Sequence, residues 1–345
     1  MSRGTVRIGA EQPAEGGQDL RLMLRAASMY HLEGATQAEI ARRLGVSRAT
    51  AGRLIARART RGLVRVVFDV PAHLATSLRT DVEEEVERRF GLDEVVLVDD
   101  DLGDSATNAP ASALASLGRA AAEALTRRLR PDDVLGFTWG PETIAVADAV
   151  TGRSASCRRV VQLDGSMSRV HYRTGVDHVF GQLVDKLGAE QVRLPAPLYA
   201  DAATVVALRA DSLLSQAMQI GDSADVMVFG CGPVDTDTTL FRGAYISEAD
   251  LEDLAGLGAV GEVAGRFYDA HGRDVDSPLA ARTVGVDLDR IRHCPTTVLA
   301  SGGTAKYAAV LGAVRGGLAN VLVTDAGCAQ WLLEQPQLPE EEERA

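Results

Sequence analysis

Apolar positions recur at helical spacing near the start of the chain and in short continuous runs further along. Across residues 20–33, Leu22, Leu24, Ala27 and Leu32 give a helix its anchors, and Gly34 ends it. Thr36-Gln-Ala-Glu39 is a capping box, in which the Thr hydroxyl and the Glu carboxylate satisfy free N–H groups at a helix start. Ile40, Ala41 and Leu44 form the buried stripe of that helix. Gly45-Val46 turns the chain, and Ser47 caps a further helix over residues 48–59 with Leu54, Ile55 and Ala58 inward. Two short helices across a Gly-containing turn predict a helix-turn-helix. Residues 62–68 predict a short strand.

Residues 69–80, with Pro71 and few apolar anchors, read as a linker. Beyond them, β-branched runs at 95–98, 134–138, 160–163, 226–230, 297–301 and 321–324 alternate with helical patterns such as 114–129 and 201–219. Continuous apolar strands separated by helices predict a mostly parallel sheet covered on both faces. The fold class is therefore α/β, a helix-turn-helix domain followed by a larger, mostly parallel α/β domain. The expected organisation is a flexible arm at 1–19, the helix-turn-helix at 20–68, the linker at 69–80, a ligand-binding and oligomerisation domain at 81–335, and an acidic tail at 336–345.

Composition narrows the class. The chain has 345 residues, 46 % hydrophobic and 24 % charged, which excludes a wholly disordered or fibrous protein. No run approaches the roughly 18–20 apolar residues of a membrane span, and the first twenty residues lack the apolar core of a signal peptide. A soluble cytoplasmic protein without a membrane partner is expected. Cys157, Cys231, Cys294 and Cys328 stand far apart and read as reduced thiols.

The net charge of −12 argues against nucleic acid until its distribution is considered. Residues 1–68 carry twelve arginines against five acids, a net of +7, and the remainder carries −19. A basic module on an acidic body points to double-stranded DNA. Arg48, Thr50, Arg53 and Arg57 lie opposite the apolar stripe of the second helix, where they would meet the major groove. Ser47 and the flanking arginines would hold phosphates, and Gln37 opens the first helix of the pair. The segment TQAEIARRLGVSRATAGRLIARARTRGLVRV resembles the DNA-binding motif of the SorC family of sugar-responsive bacterial transcription regulators. The family usually has Val where Ala51 stands and often Pro where Ala49 stands.

Strand-end loops carry the candidate ligand chemistry, because ligands of such sheets bind beyond the carboxyl ends of the strands. Gly140, Pro141, Glu142 and Thr143 follow one strand and open a helix, a placement that favours anions. Gly302 and Gly303 precede Lys306, one of only two lysines, at another strand-to-helix turn; the GxxxxGK[ST] spacing is absent. Asp164 ends a strand, Glu262 lies in a Gly258-Ala-Val-Gly loop, and Arg242 is placed to meet a phosphate. Asp235 and Asp237 read as a solvated loop, and Lys186 as a helix-end surface charge. The histidines show no metal-ligand spacing, no GxGxxG opens a βαβ unit, and no cofactor is expected.

These loops resemble the SorC family again, through LGFTWGPET, VVQLDGS, GAVGE and ASGGTAKYAAVLGAVRGGLANVLVTD. The resemblance covers roughly residues 20–335. It implies a fold like the sugar-phosphate isomerase and CoA-transferase superfamily, turned from catalysis to sensing, and a homo-oligomer, commonly a tetramer, on operator DNA. By that likeness residues 140–143, Arg242, Glu262 and Lys306 line the site of a sugar, polyol or sugar-phosphate effector, and the chain is not an enzyme. Many relatives have Gly-Thr-Thr or Gly-Arg-Thr where this chain has Gly140-Pro-Glu-Thr143. Pro141 removes a donor and Glu142 adds a negative charge, which predicts an unphosphorylated sugar or polyol, or a phosphate held at another edge. The alternative is an isomerase or Schiff-base lyase using Lys306 and Glu262.

Overall fold

The computed structural model describes residues 17–64 and 80–337, apart from 106, 153–154, 169 and 171–173. The chain divides into two compact units, Met1–Pro71 and Ala72–Ala345. The expected arm up to residue 16, the linker at 69–79 and the tail from 338 onward lie outside the described residues.

The first unit contains α1 (Gly17–His31), α2 (Gln37–Leu44) and α3 (Arg48–Thr60). The capping box forms as the sequence predicts. Thr36 Oγ1 accepts the Glu39 N–H at 3.3 Å, and Glu39 Oε2 accepts the Thr36 N–H at 2.8 Å. Gly45 ends α2 at φ +68°, where a side chain would be strained, and Ser47 Oγ caps α3 by accepting the Thr50 N–H at 3.1 Å. Met23, Ala26, Ala27, Ile40, Ala51, Leu54 and Ala58 close the core.

Three details of this unit differ from expectation. The helix begins at Gly17, inside the supposed arm. Leu24 and Leu32 are exposed, and the buried residues of α1 are Met23, Ala26, Ala27 and Met29, of which the first three share a face at i, i+3, i+4, with Leu22 packed beside them. Residues 62–64 form a turn and bend instead of a strand, and 65–68 lie outside the described residues.

The second unit opens with α4 (Thr80–Phe90), β1 (Glu94–Val98), α5 (Ala111–Thr126), β2 (Val134–Phe137) and α6 (Pro141–Ala149). It continues through β3 (Arg159–Gln162), α7 (Val176–Leu187), β4 (Glu190–Val192), α8 (Ala202–Ala210), α9 (Ser212–Asp222) and β5 (Val226–Phe229). Then come β6 (Gly232–Pro233), α10 (Thr239–Arg242), α11 (Glu248–Gly256), β7 (Ala259–Val263), β8 (Arg266–Asp269) and α12 (Leu288–Arg292). It ends with β9 (Thr296–Ala300), α13 (Tyr307–Arg315), β10 (Val321–Asp325) and α14 (Ala326–Glu334). Seven strands form an all-parallel sheet in the order β1-β10-β9-β5-β2-β3-β4. Alternate residues feed two apolar layers: Leu135, Val160, Val228 and Val298 point into one, and Val134, Val161, Met227 and Leu299 into the other. That double burial is why the strands read as unbroken apolar runs.

Three further corrections concern this unit. The expected 201–219 helix is two helices, broken at Asp211, whose extended backbone lets its carboxylate cap the N–H groups of Leu213 and Leu214. The polar edge strand β4 went unanticipated. Gly258-Ala-Val-Gly-Glu262 is not a loop: Ala259–Val263 is the central strand of a small antiparallel sheet, β6-β7-β8.

Candidate functional site

A cleft of about 520 Å³ opens at the carboxyl ends of the central strands. Residues following β2 (Thr138, Trp139, Gly140), β3 (Asp164), β5 (Gly230, Cys231, Gly232) and β9 (Lys306) meet there, with Glu262 entering from the small sheet. Pro141 occupies the first turn of α6, where its missing N–H costs no helical bond. The same turn aims Glu142 at Lys306. The two side chains form an ion pair, 9 % and 7 % exposed, that spans from the end of β2 to the end of β9 across β5. Gly230 makes the crossing possible, since a Cβ there would lie 2.9 Å from Glu142 Oε2; Gly232 leaves room for Glu262 in the same way, its Cβ position lying 2.5 Å from Glu262 Oε1.

The pairing revises the electrostatics that the sequence suggested. Glu142 does not stand as an unmatched negative charge beside a ligand. It takes up the charge of Lys306, so the cleft loses its cation. Burial alone would push the Lys306 ammonium down, but the Glu142 carboxylate outweighs it and the net direction is up. A Schiff-base nucleophile needs the free amine, so this lysine is held in the wrong form for lyase chemistry.

The two other acids are held toward neutrality. Burial pushes the Glu262 carboxyl up to about 7, against the pull of the Gly265 N–H at 2.9 Å and of Lys306. Burial, with Glu262 nearby, raises Asp164 well above the usual carboxylate range, although the Trp139 main-chain N–H pulls it back. Asp164 is 3 % exposed, and its Oδ1 has no hydrogen-bond partner. Burial raises the Cys231 thiol to about 11, which leaves it unreactive at neutral pH.

Glu262 makes stability depend on pH. Between its unfolded value near 4.5 and about 7, the folded chain holds a proton there that the unfolded chain has released. Stability therefore falls as pH rises through that window. Urea unfolding from pH 5 to pH 8 should show this fall, with a shallower profile for Glu262→Gln. Identical slopes would remove Glu262 as the cause.

The structure brings Gly140, Pro141, Glu142, Asp164, Glu262 and Lys306 together in the cleft. Gly302 lines a neighbouring cavity of about 350 Å³ that shares Pro141, Glu142 and Lys306. The Gly303 N–H donates to Asp325 Oδ2 at 2.7 Å and is spent within the protein. Thr143 is buried in α6. Arg242 does not line the cleft: half exposed, it pairs with Asp237. Asp237 is no merely solvated residue, since it also accepts from Ser105 at 2.6 Å and Thr107 at 2.8 Å and ties two loops together. The Lys186 ammonium donates to the Ala147 and Asp148 carbonyls, closing the end of α6. Sequence reasoning missed Gly230, Gly232, Thr238 and Thr239. The Gly-Cys-Gly directly after the apolar run of β5 was the available signal for the first two. Among the described residues no group of His, Cys, Asp or Glu is arranged to hold a metal ion.

In the first unit, α3 exposes Arg48 and Arg53, which have no carboxylate partner among the described residues; Arg53 donates to Thr50 Oγ1 at 3.3 Å. Arg57 approaches Asp19 at 3.5 Å. The Ser47 and Thr50 hydroxyls bond each other at 2.8 Å, and the Gln37 amide lies over Gly52, 3.4 Å from where a Cβ would stand.

Comparison with known proteins places both units. Residues 76–334 match the family described as "Putative sugar-binding domain", and residues 27–73 match the MarR family. The sorbitol operon regulator of Klebsiella pneumoniae is 29 % identical over 328 residues, covering 93 % of this chain and 100 % of that one. The transcriptional regulator LsrR of Klebsiella pneumoniae subsp. pneumoniae is 33 % identical over 317 residues, covering 90 % of this chain and 92 % of LsrR. The crystal structure of full-length SorC from Klebsiella pneumoniae superposes with a TM-score of 0.67 at 27 % identity, over 92 % of this chain and 100 % of SorC. With a helix-turn-helix ahead of a doubly covered parallel sheet, and with the sugar-binding domain matched over most of its length, the chain belongs to the SorC family of transcriptional regulators.

Proposed function

We propose that this regulator grips operator DNA through α3 and that a sugar-type ligand in the strand-end cleft sets the strength of that grip. The polar cleft, with a buried carboxyl oxygen lacking any partner in the protein, is the observation that carries the ligand reading. Relatives bear the names of sorbitol, erythritol and deoxyribonucleoside regulators, which supports a carbohydrate or polyol effector. The α3 side chains Arg48, Thr50 and Arg53 meet bases. Ser47, Arg57 and Gln37 position the helix on phosphates. The protein acts in the cytoplasm as a homo-oligomer, a tetramer by family likeness. Ligand and operator are coupled reciprocally, because a ligand that favours one arrangement of subunits must shift DNA affinity by the same factor.

Fluorescence anisotropy on DNA from upstream of its own gene tests this, at two salt concentrations and with a panel of sugars, polyols and their phosphates. Specific, salt-sensitive binding that one compound shifts is the expected result. Arg48→Ala and Arg53→Ala should each weaken operator binding by about five- to a hundredfold. Unchanged affinity in both variants would move the DNA contact elsewhere.

A further inference from the structure

We propose that the cleft takes an uncharged polyhydroxyl ligand, a free sugar or sugar alcohol, and rejects its phosphate ester. The inference rests on reading the cleft as the effector site. It begins with an inventory of charge. Lys306 is the single cation among the described residues that line the cleft, and Glu142 already holds it in a nearly buried pair. Asp164 and Glu262 add two more carboxyls. Burial holds those two toward the neutral form, so a phosphate entering here would find no free cation and would have to draw Lys306 away from Glu142, leaving a buried carboxylate unmatched.

Two of the backbone donors that these loops could offer are missing. Pro141 has no N–H to contribute at the start of α6, and the Gly303 N–H is spent on Asp325. The neighbouring cavity is no refuge either, because the Ser105 and Thr107 hydroxyls that line it donate to Asp237. What the cleft has in surplus is unused hydrogen-bonding capacity on its carboxyls. Asp164 Oδ1 is buried without a partner, and a single N–H bonds the Glu262 carboxyl. Hydroxyl groups, which donate without carrying charge, match that surplus.

Isothermal titration of the full-length protein against matched pairs tests this, each pair a free pentose, hexose, pentitol or hexitol and its phosphate ester. One neutral compound should bind at least a hundredfold more tightly than its phosphate. Asp164→Asn should weaken that compound at least tenfold, with the fold checked by circular dichroism. Glu142→Ala, which releases Lys306, should raise affinity for the phosphate ester at least tenfold. A phosphate ester that binds the unaltered protein more tightly than its parent, with Lys306→Met abolishing its binding, overturns the proposal and leaves the cleft as the effector site. Neutral-ligand binding unchanged by Asp164→Asn and Lys306→Met alike overturns the cleft reading itself. Failure of every neutral compound to bind also counts against the proposal.

Discussion

Lys306→Ala should lower the unfolding free energy by about 3–5 kcal/mol and abolish the response to effector. The loss comes less from the attraction forfeited than from the Glu142 carboxylate left behind among buried neighbours. The double variant Glu142→Gln with Lys306→Met should therefore recover most of the stability, since it strands no charge, while the effector response stays lost. Urea unfolding of the unaltered protein and the two variants at neutral pH decides this. If the single and double variants are equally unstable, the pair is held by packing and not by charge.

Gly118→Ala should be nearly as damaging, by about 3 kcal/mol. Gly118 lies where α5 crosses α6, and an added Cβ would fall 2.4 Å from the Ala145 carbonyl oxygen and 2.8 Å from the Ala145 Cβ. No flexible side chain can yield there; the helices themselves must part. Because α6 begins with Glu142, the displacement should also loosen the cleft and weaken effector binding. Gly181→Ala, on an open face of α7 with nothing within 4 Å, is the matched control and should stabilise by about 0.4–1 kcal/mol. Thermal unfolding with and without effector separates the two. A neutral Gly118→Ala would mean that the two helices part at little cost.

How much of this was legible in one sequence follows from what each residue's neighbours record. Six of the seven strands of the parallel sheet announced themselves, because burial on both faces demands apolar residues along the inner strands and edge strand β1 keeps an apolar run as well. Edge strand β4 did not, because Glu190 pairs with Arg159 at the sheet margin and the strand reads as polar. β7 was mistaken for a loop because of its glycines. Gly261 is there because a Cβ would come within 2.7 Å of both Ala309 Cβ and the Tyr268 hydroxyl, a constraint imposed from outside the strand. Lys306 lies in the cleft and Lys186 at a helix end, but the partner of Lys306 lies far away in sequence, and no local pattern names Glu142. Arg242 has the charge to meet a phosphate, yet it turns outward to a neighbouring acid. Asp164 was legible in place, at a strand end; its unpartnered oxygen was not.

Strand β1 has a single neighbour in the sheet, β10, pairing from Glu94 with Val321 to Val98 with Asp325. The α/β unit thus joins its earliest strand to its last, whereas the helical head closes an apolar core drawn from residues 22–64 alone. On a ribosome adding about 5–20 residues per second, roughly tens of seconds separate the two events. During that interval β1 has an unpaired edge and α4 waits beside it. Any chain cut short before Val321 carries a finished reading head and an unfinished sensor. Until the final strand arrives, a nascent chain therefore joins a closed helical core to a sheet whose earliest strand still lacks its neighbour.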